Sequence, residues 1–145
     1  MSSINRELAI MIRIAINDEA ILLSNNFETL FEEFKDHFQT TLQSTPDDLL
    51  KNLNTLFNIE QELICHFHSI NALIALNRRN HNDFRHEFMR LRHANKMQAG
   101  LPREFKQSTT LTKTLKRLAS RLEDVKINCQ HDMKVLSSRL TLSQS

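Results

Sequence analysis

Turn-forming residues are nearly absent from this sequence: its 145 residues include one glycine, Gly100, and two prolines, Pro46 and Pro102. Tryptophan and tyrosine do not occur at all. A sheet protein of this size needs several tight turns, and many of those turns depend on glycine. The composition therefore predicts an all-α fold: one domain, formed by an antiparallel helical hairpin or bundle of three to five long helices that is partly coiled-coil-like.

Secretion and membrane signals are also missing. The N-terminal segment has no apolar run as long as that of a signal peptide, because Arg6, Glu7 and Arg13 interrupt it. No stretch approaches the roughly 18 uncharged apolar residues of a membrane-spanning helix. We therefore expect a cytoplasmic protein that does not insert into a membrane, in which Cys65 and Cys129 are reduced thiols of the core.

Apolar residues recur at helical spacing along most of the chain, and polar segments separate them. Ser2 or Ser3 is expected to cap the first helix, and Pro46 fits the first position of another. A kink or break is expected at Ser24–Asn26, and a kink, a short loop or a frayed turn at Asn77–Asp83, where the residues have low helix propensity. The predicted helices span about 3–24, 27–43, 46–77, 82–99 and 102–141.

Residue types used in catalysis are present, but not at catalytic spacings. The seven histidines include no His-x-x-x-His pair, and the two cysteines form no Cys-x-x-Cys motif. A single glycine cannot form a phosphate-binding loop, and a Gly-x-Ser-x-Gly motif is absent. We therefore expect no enzymatic activity, no cofactor and no metal site.

Charge is unevenly distributed, although the net charge is only +2. The first 62 residues hold four basic and eleven acidic side chains, and the rest of the chain holds fifteen basic and six acidic ones. Either the acidic half packs against the basic half, or the basic half binds nucleic acid or an acidic partner. Phe84, Phe88 and Phe105 lie near these cations and could stack on bases, but they also fall at helical core spacing. The candidate basic patch consists of Arg78, Arg79, Arg85, Arg92 and Lys96.

The most regular pattern runs from Pro102 to about Leu142. From Leu111 to Leu140 apolar residues follow at steps of three and four, which is typical of a helix that packs against another helix along its length. Such a helix is about 60 Å long at about 1.5 Å per residue, more than so short a chain is expected to cover. It is therefore either an internal bundle helix or a surface that docks a partner helix or a second copy. The candidate partner-binding residues of this α-helical seam are Leu111, Leu115, Leu118, Leu122, Val125 and Leu136.

Residues 27 to about 118 resemble the FlgN-type flagellar export chaperones. Three parts are similar to the long helical hairpin of that family: the leucines and phenylalanines from Leu30 to Leu42, the Asp47-Asp48-Leu49 start, and Leu53–Ile64. Leu91–Gln98 is similar to its asparagine-centred helical segment. This chain departs from the family in its apolar first 24 residues, in its interruption at Gly100–Pro102 and in its longer C-terminal seam.

The resemblance implies a cytoplasmic chaperone that binds the amphipathic end of a secreted hook-filament-type protein and keeps it soluble until export. Two other interpretations remain open from the residues. One is a basic helical protein that binds nucleic acid or regulates another protein. The other is a homodimeric helical adaptor or effector subunit without catalysis.

Overall fold

The computed structural model of this chain describes residues 5–144, without the side chains of Leu140 and residues 142–144. It contains three α-helices and, within those described residues, no strand. They are α1, Arg6–Leu42; α2, Pro46–His93; and α3, Leu101–Gln144. The all-α prediction is confirmed.

The start of α1 differs from the predicted one. Ser2, Ser3 and the predicted helix start at residue 3 lie outside the described residues. Asn5 caps the helix, because its Oδ1 accepts a hydrogen bond from the Leu8 backbone N–H at 3.1 Å.

Neither Ser24–Asn26 nor Asn77–Asp83 interrupts its helix, so the division into five helices is wrong. Ser24–Asn26 remain helical because Leu23 and Phe27, on either side, are both buried, and burial outweighs weak helix propensity. Within Asn77–Asp83, Asn77 and Asn80 are buried and their side-chain amides donate hydrogen bonds to other parts of the chain. These two asparagines make tertiary contacts and do not lie in a loop.

The first turn lies where the sequence predicts it. Helix α2 begins at Pro46, directly after a turn at residues 43–45. The Thr45 carbonyl accepts hydrogen bonds from the N–H groups of Asp48, at 3.1 Å, and Leu49, at 3.0 Å.

The second turn starts earlier than predicted. Asn95 has a φ of 54°, and its N–H bonds to the Arg92 carbonyl while the Lys96 N–H bonds to the Leu91 carbonyl. This is a left-handed helix stop with asparagine in the place usually taken by glycine, so α2 ends at His93 instead of residue 99. Gly100, with a φ of 83°, then precedes α3.

The chain forms two compact units, each built from parts of all three helices. Unit 1 comprises Met1–Leu22 and Ile70–Ala119, and unit 2 comprises Leu23–Ser69 and Ser120–Ser145. A cluster in the core of unit 1 contains Ala9, Phe84, Leu91 and Leu101, with Ile10, Phe88 and Phe105 packed against it. Large side chains that are fully buried in unit 2 include Phe27, Phe34, Leu56, Leu122, Val125 and Leu136.

Candidate partner-binding surface

The α3 seam belongs to the core of the protein. Its members Leu111 and Leu115 are 4 % and 1 % exposed, Leu122 is 1 % exposed, and Val125 and Leu136 are fully buried. Leu118 is half-buried, and the side chain of Leu140 lies outside the described residues. Five of the six predicted partner-binding residues are therefore core residues, and Leu118 is the one that remains half-exposed.

The reason lies in the lengths of the other two helices. Because the predicted breaks are absent, α1 has 37 residues and α2 has 48, against 44 for α3. Each of the two units therefore contains a segment of α1 and a segment of α2 together with its segment of α3. Burial of each leucine side chain contributes about 1.5–3 kcal/mol to folding, which a partner would have to replace before using it.

A different apolar surface is exposed, on the N-terminal part of α1 in unit 1. The exposed fractions are 50 % for Leu8, 65 % for Met11, 47 % for Ile14, 54 % for Ile21 and 53 % for Leu22. Ala15, also exposed, lies between them. Leu8, Met11, Ala15 and Leu22 follow at steps of three, four and seven, and Ile14 and Ile21 flank them, so they share one side of the helix. We call these six residues the α1 stripe.

The opposite side of α1 is held in unit 1 by both apolar and polar contacts. Ala9, Ile16 and Ala20 are buried on that side. The Asn80 side-chain amide donates to the Ala9 carbonyl at 2.9 Å. The Arg13 guanidinium forms an ion pair with Glu104, with Nη2 and Oε2 2.9 Å apart. These contacts fix the rotation of α1 and turn the α1 stripe away from the core.

The signal for the α1 stripe was present in the sequence. Leu8 and Ala9 are both apolar, and so are Ile21, Leu22 and Leu23, although successive residues of a helix point in directions about 100° apart. Apolar residues therefore surround α1 instead of forming the single broad face expected of a surface helix. When one apolar side of such a helix packs into the core, the other side remains exposed, as it does here.

Three carboxylates lie within or beside the α1 stripe. Glu7, Asp18 and Glu19 are exposed, and none of them forms an ion pair with another described residue. The two basic residues of this part of α1 are already engaged: Arg6 donates to the Ala99 carbonyl at 2.8 Å, and Arg13 pairs with Glu104. The charge available on this surface of α1 is therefore negative.

One flank of α1 in unit 1 has the opposite character. A groove of about 410 Å³ is lined by Arg13 and Asn17 of α1 and by the Arg103–Thr114 segment of α3. Arg103 and Lys106 lie on its α3 side, and no acidic residue lines it. The groove is thus a basic region, separate from the carboxylates of α1.

The candidate basic patch is exposed throughout. Arg78, Arg79, Arg85, Arg92 and Lys96 are all on the surface of unit 1. On α2, Arg78, Arg85 and Arg92 are spaced seven residues apart and so lie in one row.

The nearby phenylalanines are not available for stacking on bases. Phe84 is fully buried. The rings of Phe88 and Phe105 pack against each other, with centroids 4.9 Å apart. The basic row can therefore contact phosphate groups, but these three rings cannot stack on nucleic-acid bases beside it.

His81 is the one histidine with a clearly perturbed environment in the described part of unit 1. Its Nδ1 lies 2.8 Å from Ser108 Oγ, and its ring stacks on Phe105 at a centroid distance of 5.5 Å. Burial, followed by the positive charges of Arg85 and Lys116, lowers the pKa of its imidazole. The ring of His81 is thus part of the packing of unit 1, where its charged form is disfavoured.

The cysteines differ from each other and from the prediction for one of them. Cys129 is buried in unit 2, where burial and then the charges of Asp132 and Glu60 raise the pKa of its thiol to about 12. A thiol with so high a pKa is a poor nucleophile. Cys65 is free, as expected, but it is exposed and not part of the core. No group of three or more potential metal ligands occurs among the described residues.

Comparisons with known proteins identify no relative. No family model, no curated protein and no solved structure matches this chain. Over residues 5–144, none of the three helices has an apolar segment long enough to cross a membrane. The surface of unit 1 is therefore the basis for assigning a function.

Proposed function

We propose that this chain is a non-enzymatic binding protein that covers an amphipathic helix of another protein with the α1 stripe. The observation that supports the proposal is the exposure of five large apolar side chains, between 47 % and 65 %, on one side of one helix. Exposed apolar patches of this kind mark interaction sites in monomeric proteins. The partner-binding role expected of the α3 seam is thus assigned to α1.

The physical basis is the hydrophobic effect. An amphipathic helix exposes its apolar stripe to water until it finds a surface on which to pack. When this stripe packs on Met11 and its neighbours, both surfaces leave water, and each Å² of apolar area contributes about 25 cal/mol. A helix packed in this way is also unavailable to other copies of its own chain, so premature assembly is prevented.

The resemblance to FlgN-type proteins suggests the specific form of this role. In that form the chain is a cytoplasmic export chaperone, and its client is the amphipathic end of a secreted, flagellar hook-filament-type protein. The client is held soluble until it is passed to the export machinery. This client identity rests on the resemblance alone.

Site-specific photo-crosslinking in the source cell tests the proposal. A photoreactive phenylalanine analogue replaces Met11, or Leu22, and the matched control places it at Gln130, which is exposed on α3 in unit 2. We expect irradiation to join the Met11 and Leu22 variants to one protein, through a peptide whose apolar residues recur at steps of three and four. We expect the Gln130 variant to form no such adduct.

Three outcomes would contradict the proposal. They are the absence of any protein adduct at Met11, equal adducts at all three positions, and an adduct to a segment without helical periodicity. Circular dichroism of each variant checks that the helices are intact, since all three positions are exposed.

A second candidate function is nucleic-acid binding through the row Arg78, Arg85 and Arg92. Its support is the exposure and the regular spacing of these cations. Binding through phosphates alone predicts a gel shift that is independent of base sequence and weakens steeply as salt concentration rises. Absence of a shift at low salt, or a shift unchanged in an Arg85→Gln, Arg92→Gln variant, would exclude it.

A further inference from the structure

We infer that the helix bound by the α1 stripe carries lysine or arginine residues beside its apolar positions. This inference rests on the proposed function and adds the charge of the partner to it. It follows from the position of Glu7, Asp18 and Glu19 around the stripe and from the absence of ion pairs to them among the described residues.

The arrangement of charges on α1 is specific. In the segment from Arg6 to Leu22, both cations are engaged by other parts of unit 1, while all three carboxylates face water. Asp18 lies within the stripe itself, four residues before Leu22 and seven after Met11. A partner helix along the stripe must place side chains next to Asp18, and a basic side chain there forms a charge pair instead of burying a lone carboxylate.

The same charges argue against two other occupants. In a dimer formed by packing α1 against α1 of a second copy, the same three carboxylates of each copy approach the shared apolar surface, and like charges near an interface oppose association. An anionic membrane surface repels the carboxylates for the same reason. A basic amphipathic helix is the occupant for which both the apolar and the charged groups are complementary.

The basic residues of α3 indicate on which side of α1 the partner lies. Arg103 and Lys106 line the groove beside Asn17, so a basic helix that entered this groove would meet like charge. The partner is therefore placed along Met11, Ala15 and Leu22, on the side of α1 that carries Asp18. The stripe from Leu8 to Leu22 is about 21 Å long at about 1.5 Å per residue, which matches a helix of four turns.

Synthetic peptides test the inference on the full-length protein. Three fluorescent peptides of about 18 residues share one leucine stripe at steps of three and four, and their flanking positions are all lysine, all glutamine or all glutamate. Fluorescence anisotropy measures their binding at low salt. We expect the lysine peptide to bind about tenfold tighter than the glutamate peptide, with the glutamine peptide between them.

Two matched charge variants locate the effect. The Glu7→Gln, Asp18→Asn, Glu19→Gln variant should reduce the lysine-to-glutamate ratio to below about threefold. The control is Glu33→Gln, Asp36→Asn, Glu62→Gln, which removes three exposed carboxylates of unit 2 and should leave the ratio unchanged. All six positions are exposed, so both variants should keep the wild-type circular dichroism spectrum.

The outcomes separate the inference from the proposed function. Equal binding of the three peptides, abolished by Met11→Glu, would overturn the inference and leave helix binding intact. Tighter binding of the glutamate peptide would also overturn it. Failure of all three peptides to bind would count against both proposals. Self-association of the free chain in sedimentation, abolished by Met11→Glu, would assign the stripe to a second copy instead.

Discussion

The side-chain amide of Asn80 donates a buried hydrogen bond to the backbone carbonyl of Ala9, with Nδ2 and O 2.9 Å apart. The two residues lie 71 positions apart in the sequence, and both are at most 5 % exposed. This bond joins α2 to the inner side of α1 in unit 1. It thereby helps to keep the α1 stripe facing outward.

Replacement of Asn80 should therefore destabilise the protein. We expect Asn80→Ala to lower the free energy of unfolding by about 1–3 kcal/mol, because the bond is lost and a buried carbonyl loses its side-chain partner. Urea denaturation followed by circular dichroism measures this change. The matched control, Asn82→Ala, alters an exposed asparagine of the same helix and should change stability by less than about 0.5 kcal/mol. Equal effects of the two substitutions would show that the Asn80 contact is unimportant.

Truncation of the α3 seam should behave as a core mutation. Leu122 is 1 % exposed, so Leu122→Ala should lower the free energy of unfolding by about 2–5 kcal/mol through lost burial and a cavity. Ile127 lies on the same helix and is 52 % exposed, so Ile127→Ala should have a much smaller effect. Thermal and urea unfolding give both values. Wild-type stability of the Leu122→Ala protein would contradict the burial of this seam in the core.

The environment of His81 predicts a loss of stability in acid. Because its pKa is lowered in the folded state, the unfolded chain binds the proton more readily, so stability falls as pH drops below about 6.5, the ordinary value. We expect His81→Gln to reduce this fall, as measured by urea denaturation from about pH 8 to about pH 5. Near pH 8 the imidazole is neutral in both states. The difference in free energy of unfolding between the variant and wild type at that pH therefore gives the pH-independent effect of the substitution. An unchanged pH profile would contradict the prediction.

Glu60 should have the opposite effect in unit 2. It is 8 % exposed, it has no hydrogen bond or ion pair with another described residue, and burial raises the pKa of its carboxyl. The folded state therefore binds the proton more readily, so this group favours folding more as pH falls, down to about pH 4.5, its ordinary value. Glu60→Gln should consequently be more stable than wild type at neutral pH. This advantage should shrink toward acid, and a variant less stable than wild type at neutral pH would contradict the assignment.

The all-α fold could be predicted from what the sequence lacks, whereas the helix count could not. One glycine and two prolines leave little choice of fold class. Helix propensity alone places breaks at Ser24–Asn26 and at Asn77–Asp83. It cannot show that Asn77 and Asn80 have partners on other helices, since those partners, Thr112 and Ala9, are distant in sequence. Tertiary contacts therefore decided the lengths of α1 and α2.

The sequence did not indicate which apolar surface is exposed, for a related reason. Periodicity identifies which residues of a helix share a side, but it does not state which of two apolar sides is covered. The seam of α3 was more regular than the stripe of α1, and regularity proved typical of the core. Exposure of Met11 and burial of Leu115 could be assigned only once the three helices were packed.

Methyl NMR of methionine offers the most direct test of which surface binds a partner. Met11 lies in the α1 stripe, at 65 % exposure, and Met133 lies half-buried along the α3 seam. The protein is labelled at its methionine methyl groups, the two signals are assigned with Met11→Leu and Met133→Leu variants, and the lysine-flanked peptide is added. We predict that the Met11 signal shifts or broadens as peptide is added while the Met133 signal stays in place. A shift of Met133 with an unchanged Met11 would contradict the account and identify the α3 seam as the binding surface.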